Sequence, residues 1–197
     1  MKILLIALIS YLLGSLCASI PLSKRFCGGD VRMHGSGNAG ATNMARVYGM
    51  KAGLVTLLLD MLKTIVAMLL GKYLLDSSGE AVAGAFCIVG HCFPLFFGFR
   101  GGKGVSVGAA LGLMAGPLVL GIIMAVFFTA AGISRKVSLG SVLAAVSLPV
   151  ASWLTGAGKE MIIMNVFAAV LVVFMHRGNI SRLINGTEPD FRPKNFD

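Results

Sequence analysis

Acidic side chains are scarce in this sequence. The 197 residues hold 8 Asp+Glu against 17 Lys+Arg, a formal net charge of +9. Charge of either sign is thin, at 13% of residues, about half its share in an ordinary soluble domain. So few carboxylates argue against a two-metal phosphatase. No His-Glu pair opens an H-E-x-x-H zinc helix. The four cysteines, Cys17, Cys27, Cys87 and Cys92, form no C-x-x-C pair. They imply neither a disulfide framework nor a zinc site and read as packing residues. No internal repeat is visible, which counts against an inverted-repeat transporter.

What fills the space is apolar. Hydrophobic residues make up 56% and mean hydropathy is +0.87, which excludes disorder. The 26 glycines suit close helix packing in a bilayer. Together these predict an all-α integral membrane protein with one polytopic domain over residues 1–197. A spanning helix needs about 20 mainly apolar residues. Residues 3–22, 52–71, 81–99, 139–156 and 161–176 qualify or nearly so. The first run is long for a signal peptide and no A-x-A follows it. Residues 104–134 carry no charge over 31 residues, about 46 Å as one helix and too long for a hydrocarbon core of about 30 Å. Gly116-Pro117 divides them, since Pro117 lacks an amide hydrogen and clashes with the preceding turn. The expectation is about seven transmembrane helices, two of them short.

Charge asymmetry sets the orientation. With a hairpin over 104–134, 13 of the 17 cations fall on one face. They include Lys24, Arg25, Arg32, Arg46 and Lys51, then Arg100, Lys103, Arg135 and Lys136, and the tail's Arg177, Arg182, Arg192 and Lys194. That face should be cytoplasmic, with the N-terminus outside and the C-terminus inside. The inward segments are then 23–51, 98–104, 132–138 and the tail 176–197.

Those inward segments hold the chemistry. Gly35-Ser36-Gly37-Asn38-Ala39-Gly40 spells G-x-G-x-x-G, followed by Thr42, Asn43 and Arg46. A membrane span follows it rather than a βαβ unit, so a dinucleotide fold is excluded. What survives is a backbone able to turn tightly and offer N–H groups to an anion, with Arg46 for charge-assisted bonds to phosphate. The alternative is a plain connecting loop. Gly101-Gly102-Lys103-Gly104 resembles a P-loop, but Phe97 and Gly104 stand where a Walker motif needs Gly and Ser or Thr. Lys103 is an anion ligand or a positive-inside anchor. His91 is a core histidine or part of the site. Asp60 and Lys63, three apart within a span, form a structural ion pair or line a wet cavity. Ser138 and Ser141 cap a helix or donate to an anion at its start. His176 and Asn179 lie about one turn apart, as a catalytic pair or an interface anchor. No histidine has Asp five positions later; Ala39, Phe96 and Ser181 stand there instead.

In combination these segments resemble one family. Ser36 to Asn43 with Arg46, Gly90 to Val105, the Ser-Leu-Gly-Ser of Ser138–Ser141, and His176 to Glu188 occur in order. They are similar to the motifs of the bacterial acyl-phosphate:glycerol-3-phosphate acyltransferases, the PlsY family, over essentially the whole chain. The resemblance implies transfer of a fatty acyl group from acyl-phosphate to the sn-1 hydroxyl of glycerol 3-phosphate. The products would be lysophosphatidic acid and inorganic phosphate, the first acylation of phospholipid synthesis. The absent His/Asp spacing counts against an acyl-CoA-dependent enzyme. A phosphate-ester transporter or anion channel is the rival from another class.

Carried onto this chain, the resemblance makes His176, Lys103, Asn179 and Ser36 catalytic. It makes Arg46, Gly37, Asn38, Gly40, Thr42, Asn43, His91, Gly101, Gly102, Ser138, Ser141 and Glu188 substrate-binding. Lys103, Arg46, Ser36, His176 and Asn179 would serve glycerol 3-phosphate; the glycine loop with Asn38, Thr42 and Asn43, plus Ser138 and Ser141, would serve the acyl-phosphate. His176 and the phosphate of glycerol 3-phosphate both stand as general base. No metal or other cofactor is expected. Partners are the two substrates, the lipid bilayer and the enzyme that supplies acyl-phosphate, with no nucleic acid. The location would be the bacterial cytoplasmic (inner) membrane, with the active site on its cytoplasmic face.

Overall fold

A computed structural model describes residues 1–26 and 28–192. Cys27 and Lys194 lie outside the described residues. Nine α-helices form among the rest: α1 Lys2–Gly14, α2 Ser19–Phe26, α3 Ala41–Tyr48, α4 Met50–Cys92, α5 Val105–Ala115, α6 Pro117–Ser134, α7 Val137–Leu154, α8 Lys159–Met175 and α9 Arg177–Ile184.

The 43 residues of α4 are not one rod. Leu75 and Asp76 leave helical geometry, Asp76 with φ of 46°. The two legs fold back as a hairpin in which Gly71 and Gly79 face each other backbone to backbone, with no room for a Cβ. This break falls between the expected spans 52–71 and 81–99. Gly116 adopts φ 149° and Pro117 starts α6, so 104–134 is divided where proline demands it. Four helices, up to five with the bent α8–α9 pair, are long and apolar enough to cross a membrane. α1, the two legs of α4, α5, α6, α7 and α8 together make seven apolar rods.

Four boundaries depart from expectation. The first span, 3–22, is interrupted between Gly14 and Ser19, where α1 packs so closely on α4 that a Cβ on Gly14 would collide with the backbone of Cys87. The third span ends at Cys92, not 99; Phe93 precedes Pro94, and a residue before proline disfavours the helical region. Of the two pieces of 104–134, only α5 is short, at 11 residues against 18 for α6. Within 23–51, residues 41–48 are helical, and the α6–α7 connection shrinks to Arg135 and Lys136.

The main core lies between the second leg of α4 and helices α5 to α8, around Ile88, Val107, Leu111, Val119, Leu148, Met164 and Val172. Large apolar side chains also face outward on α1, α4, α6, α7 and α8, the pattern of helices surrounded by lipid.

Candidate active site

The glycine-rich segment 35–40 is shaped from inside by Asn43. This residue is 1% exposed. Its Oδ1 accepts from Ser36 N at 2.9 Å, and its Nδ2 faces the carbonyls of Val31, His34 and Asn38, each at 3.0 Å. All its polar capacity is spent on the loop's own backbone. Gly40 then caps α3, while Ser36 and Gly37 are exposed and Asn38, Gly40, Thr42 and Arg46 half-buried around that helix start. Asp30 and Arg32 brace the segment. Arg32 pairs with both oxygens of Asp30, at 3.1 and 2.9 Å, and donates to Phe97 O at 2.7 Å. The guanidinium pulls the Asp30 carboxyl down to about 2.

The second segment, 98–104, folds back on the end of α4. Gly101 N donates to Cys92 O at 3.2 Å and Gly102 N to His91 O at 3.1 Å, satisfying carbonyls that the helix end would orphan. Ala39 N reaches Gly101 O at 3.4 Å, so the two loops touch. A Cβ on Gly101 would overlap the His91 carbonyl, and one on Gly102 would overlap the His91 ring. Glycine is required at both positions for this close approach. His91 is 1% exposed and sits beneath the loop, its Nδ1 3.2 Å from Lys63 Nζ.

Lys103, next in the chain, emerges toward the tail. Its ammonium donates to Asn179 Oδ1. Asn179 Nδ2 donates to Glu188 Oε1 at 2.6 Å, and Arg182 Nε donates to Glu188 Oε2 at 2.7 Å. The result is a relay from Lys103 through Asn179 to Glu188. Burial lowers the Lys103 pKa, as do the charges of Arg182 and Arg46, against the opposing pull of Glu188. Burial raises the Glu188 carboxyl, but bonds from Asn179 and Arg182, with the Ser138 hydroxyl nearby, overcome it and hold the group below its usual range. Glu188 reaches this position because α9 ends in a Schellman turn. Gly186 takes φ 68°, Thr187 N bonds Arg182 O at 2.8 Å, and Gly186 N bonds Leu183 O at 3.2 Å. Lys136 ties the tail to the start of α7 by donating to Glu188 O and, at 2.7 Å, to Asp190 Oδ1.

His176 stands at the junction of α8 and α9. Burial and the Lys103 charge push its pKa down to about 4, although the Val172 carbonyl favours the proton. The ring is therefore neutral at pH 7. Val172 O, 2.8 Å from Nδ1, only accepts, so the single ring proton sits on Nδ1 and Nε2 keeps its lone pair. Ser138 and Ser141 are buried at the start of α7. Ser141 donates to Val137 O at 2.9 Å and lines a narrow apolar groove. Gly104, Ala144, Leu148, Ile123 and Val172 line the same groove. One of its walls is thus the residue next to Lys103.

Of the site residues expected from sequence, Lys103, His176, Asn179, Ser138 and Glu188 converge, and Arg46 lies close enough for its charge to act on Lys103. Ser141 is one turn along α7. Asn43 and His91 are engaged behind the two loops. Arg182 and Lys136 were missed as site residues; their signal was a cation beside each motif. Gly104-Val105-Ser106-Val107-Gly108 also spells G-x-S-x-G. A nucleophile elbow needs a strand entering the turn, whereas here the glycine loop leads into α5 and Ser106 is buried in its first turn.

The family model described as glycerol-3-phosphate acyltransferase matches residues 4–186. The chain belongs to the PlsY family of glycerol-3-phosphate acyltransferases. A glycerol-3-phosphate acyltransferase of Desulfotalea psychrophila is 41% identical over 192 residues, covering 95% of this chain and 97% of that one. One from Thermoanaerobacter pseudethanolicus is 38% identical over 188 residues, 95% of each. Among solved structures, PlsY (YgiH), an integral membrane glycerol 3-phosphate acyltransferase, superposes in its glycerol 3-phosphate form with a TM-score of 0.91. That match has 32% identity and covers 98% of this chain and 96% of that one. The lysophosphatidic acid form of PlsY gives 0.89 at 30% identity, with the same coverage. The acyltransferase is thus an all-α integral membrane protein, and membership of this family decides for an enzyme over a transporter.

Proposed function

We propose that this acyltransferase moves a fatty acyl group from acyl-phosphate to the sn-1 hydroxyl of glycerol 3-phosphate. The observation that carries the reading is the juxtaposition of a half-buried cation with a narrow apolar groove. The Lys103–Asn179–Glu188 relay ends beside Gly104, which also lines the apolar groove with Ser141. A substrate that is half phosphate and half hydrocarbon fits such a junction. The crystal forms of PlsY with glycerol 3-phosphate and with lysophosphatidic acid agree with an acceptor and a product of this kind.

Chemically, acyl-phosphate is already a mixed anhydride. The sn-1 oxygen attacks its carbonyl carbon, the bond from that carbon to the phosphate oxygen breaks, and inorganic phosphate leaves with the electron pair. The protein has to position two anions and stabilise charge. Lys103, Arg46, Ser36 and Asn179 are assigned to glycerol 3-phosphate. The glycine loop with Gly37, Asn38 and Gly40, together with Thr42, Ser138 and Ser141, is assigned to the acyl-phosphate headgroup. His176, neutral and held by Val172, offers Nε2 as an acceptor that orients the attacking hydroxyl. With a pKa of about 4 it is a weak base. A phosphate monoester, with a second pKa near 6, takes the proton more readily. The supplier of acyl-phosphate is proposed as a partner. The cation-rich face is assigned to the cytoplasm, within a bacterial inner membrane, with the N-terminus outside.

The test uses purified protein in lipid, with palmitoyl-phosphate and glycerol 3-phosphate, following inorganic phosphate and lysophosphatidic acid together. A parallel reaction holds palmitoyl-CoA. Equal amounts of both products from acyl-phosphate alone support the reading. Product from palmitoyl-CoA, or phosphate without lysophosphatidic acid, overturns it.

A further inference from the structure

Lys63 is an ammonium at membrane depth, and its bonds are unusual. Its Nζ lies 2.9 Å from Gly14 O, 2.9 Å from Leu16 O, 2.9 Å from Asp60 Oδ1 and 3.2 Å from His91 Nδ1. Gly14 is the last residue of α1, so the ammonium binds carbonyls that the broken first span leaves over. Asp60 is 1% exposed and receives no hydrogen bond of good geometry from any other group. Its one close charge is Lys63, with His91 Nδ1 at 3.5 Å. An ion pair this dry gains little stability over apolar residues of the same size. Its presence calls for another account.

The account lies one step further along. Lys63 Nζ and Asp60 Oδ1 both face His91 Nδ1, at 3.2 and 3.5 Å, so the pair holds the ring plane whichever nitrogen carries the proton. That ring is what a Cβ on Gly102 would strike, coming within 2.7 Å of Cε1 even after its nearer overlap with Nε2. His91 O meanwhile accepts from Gly102 N at 3.1 Å and from Cys17 Sγ at 3.6 Å. One residue beyond Gly102 is Lys103. The ion pair therefore holds a ring, the ring forms the floor under a glycine, and the glycine sets where the site's cation stands.

We infer that Asp60, Lys63 and His91 are positioning residues, a braced floor within the membrane that fixes the Gly101–Lys103 loop against its substrate. The inference rests on the assignment of Lys103 to substrate phosphate. None of the three side chains touches substrate in this account; they act through the loop.

The test is a size-compensation cycle in the full-length protein in lipid. Gly102→Ala, His91→Asn and the double variant are assayed with glycerol 3-phosphate varied at saturating acyl-phosphate. Gly102→Ala lowers kcat/KM for glycerol 3-phosphate by about tenfold or more, the scale of an overpacked contact. Shortening His91 to Asn makes room for the methyl while keeping an acceptor for Lys63. The double variant then recovers at least about fivefold over Gly102→Ala alone. Simple multiplication of the two single losses overturns the inference, as does a Gly102→Ala enzyme with wild-type kinetics. A second pair, Asp60→Asn with Lys63→Met, removes both charges together so that neither is left unpaired. It raises KM for glycerol 3-phosphate about fivefold or more, with KM for acyl-phosphate unchanged. A merely structural pair would lower thermal stability and leave both KM values in place, which also overturns the inference. Wild-type protein in the same assay separates the two levels. A folded wild type without turnover sinks the functional assignment and this inference with it; an active wild type with additive variants sinks the inference alone.

Discussion

Replacing Glu188 with Gln tests whether a carboxylate orients the site. An ionised carboxylate only accepts hydrogen bonds. Glu188 therefore demands the NH2 side of Asn179, at 2.6 Å, and leaves the Asn179 carbonyl for Lys103. Glutamine can donate as well as accept. Asn179 is then free to turn its amide over and present NH2 to an ammonium, a contact between two donors. The magnitude follows from the bonds. A hydrogen bond to a charged acceptor contributes about 1 kcal/mol more than a neutral one, and Glu188 accepts two from the protein's side chains, from Asn179 and Arg182. The Arg182 bond is discounted, because its side chain is 46% exposed and exposed pairs are worth well under 1 kcal/mol. Misdirecting Asn179 adds roughly another 1 kcal/mol at Lys103. The sum is about 2–3 kcal/mol, or roughly 30- to 150-fold in kcat/KM for glycerol 3-phosphate. The assay is steady-state release of inorganic phosphate by folded, monodisperse variant. Activity within threefold of wild type would refute the orienting role. The pH sign agrees with the substitution. The Glu188 pKa is lower folded than unfolded, so its contribution is full above the ordinary carboxyl pKa and is lost as pH falls through the folded value.

Three further outcomes are expected. Lys103→Met removes the half-buried ammonium and orphans Asn179 Oδ1; kcat/KM for glycerol 3-phosphate falls about 100-fold or more, and Lys103→Arg does not restore it, because a planar fork cannot replace a point charge in the same space. For His176, whose pKa drops from 6.5 to about 4 on burial, the unfolded chain binds the extra proton between those values. Stability then falls as pH drops from 6.5 toward 4, by up to about 1.4 kcal/mol per unit. Thermal unfolding at pH 5 and pH 7 shows a smaller difference in His176→Asn than in wild type. In the groove, Ala144 lies about one turn deeper than Ser141. Ala144→Phe should lower turnover of palmitoyl-phosphate about tenfold more than that of octanoyl-phosphate, measured as the ratio of kcat/KM values.

Sequence pattern carried the lipid-facing frame because it is written in composition. A proline after a glycine divided 104–134 where the structure divides it, since Pro117 can start a helix but not continue one. Breaks without proline were not legible. Gly14, the last residue of α1, packs against Cys87, a contact 73 positions away in the chain that no local run reveals. The motif segments named the polar residues but not which way each one faces. Asn43 and Asn38 look alike as loop donors, yet Asn43 is buried and spends its amide on three carbonyls. His91 and His176 look alike as histidines at span ends. One meets Lys63 beneath the loop, and the other is oriented by Val172 within its own helix. Arg182 and Glu188 are six apart, not a helical spacing; only the left-handed Gly186 turns the tail back so that they meet.

The charges around the relay argue for a dianionic partner. Glu188 is matched by Arg182 at 2.7 Å, so three cations, Arg182, Lys103 and Arg46, share that one carboxylate's pull. Their repulsion and the burial of Lys103 both lower its pKa, so the resting protein carries an electrostatic cost at this point. A phosphate monoester brings about two negative charges and three acceptor oxygens at pH 7. Its arrival would remove both terms at once: it offsets the like-charge repulsion and restores the solvation that Lys103 loses. A neutral ligand of the same shape would remove neither. Glycerol should therefore compete poorly for a site that glycerol 3-phosphate fills, and the gap between them should narrow with added salt, because Arg46 and Lys103 are both only half-buried and so partly screened. Competition by glycerol against turnover, at low and high ionic strength, measures that gap directly. Inhibition by glycerol at concentrations near the KM of glycerol 3-phosphate would show that the cations do not carry the recognition.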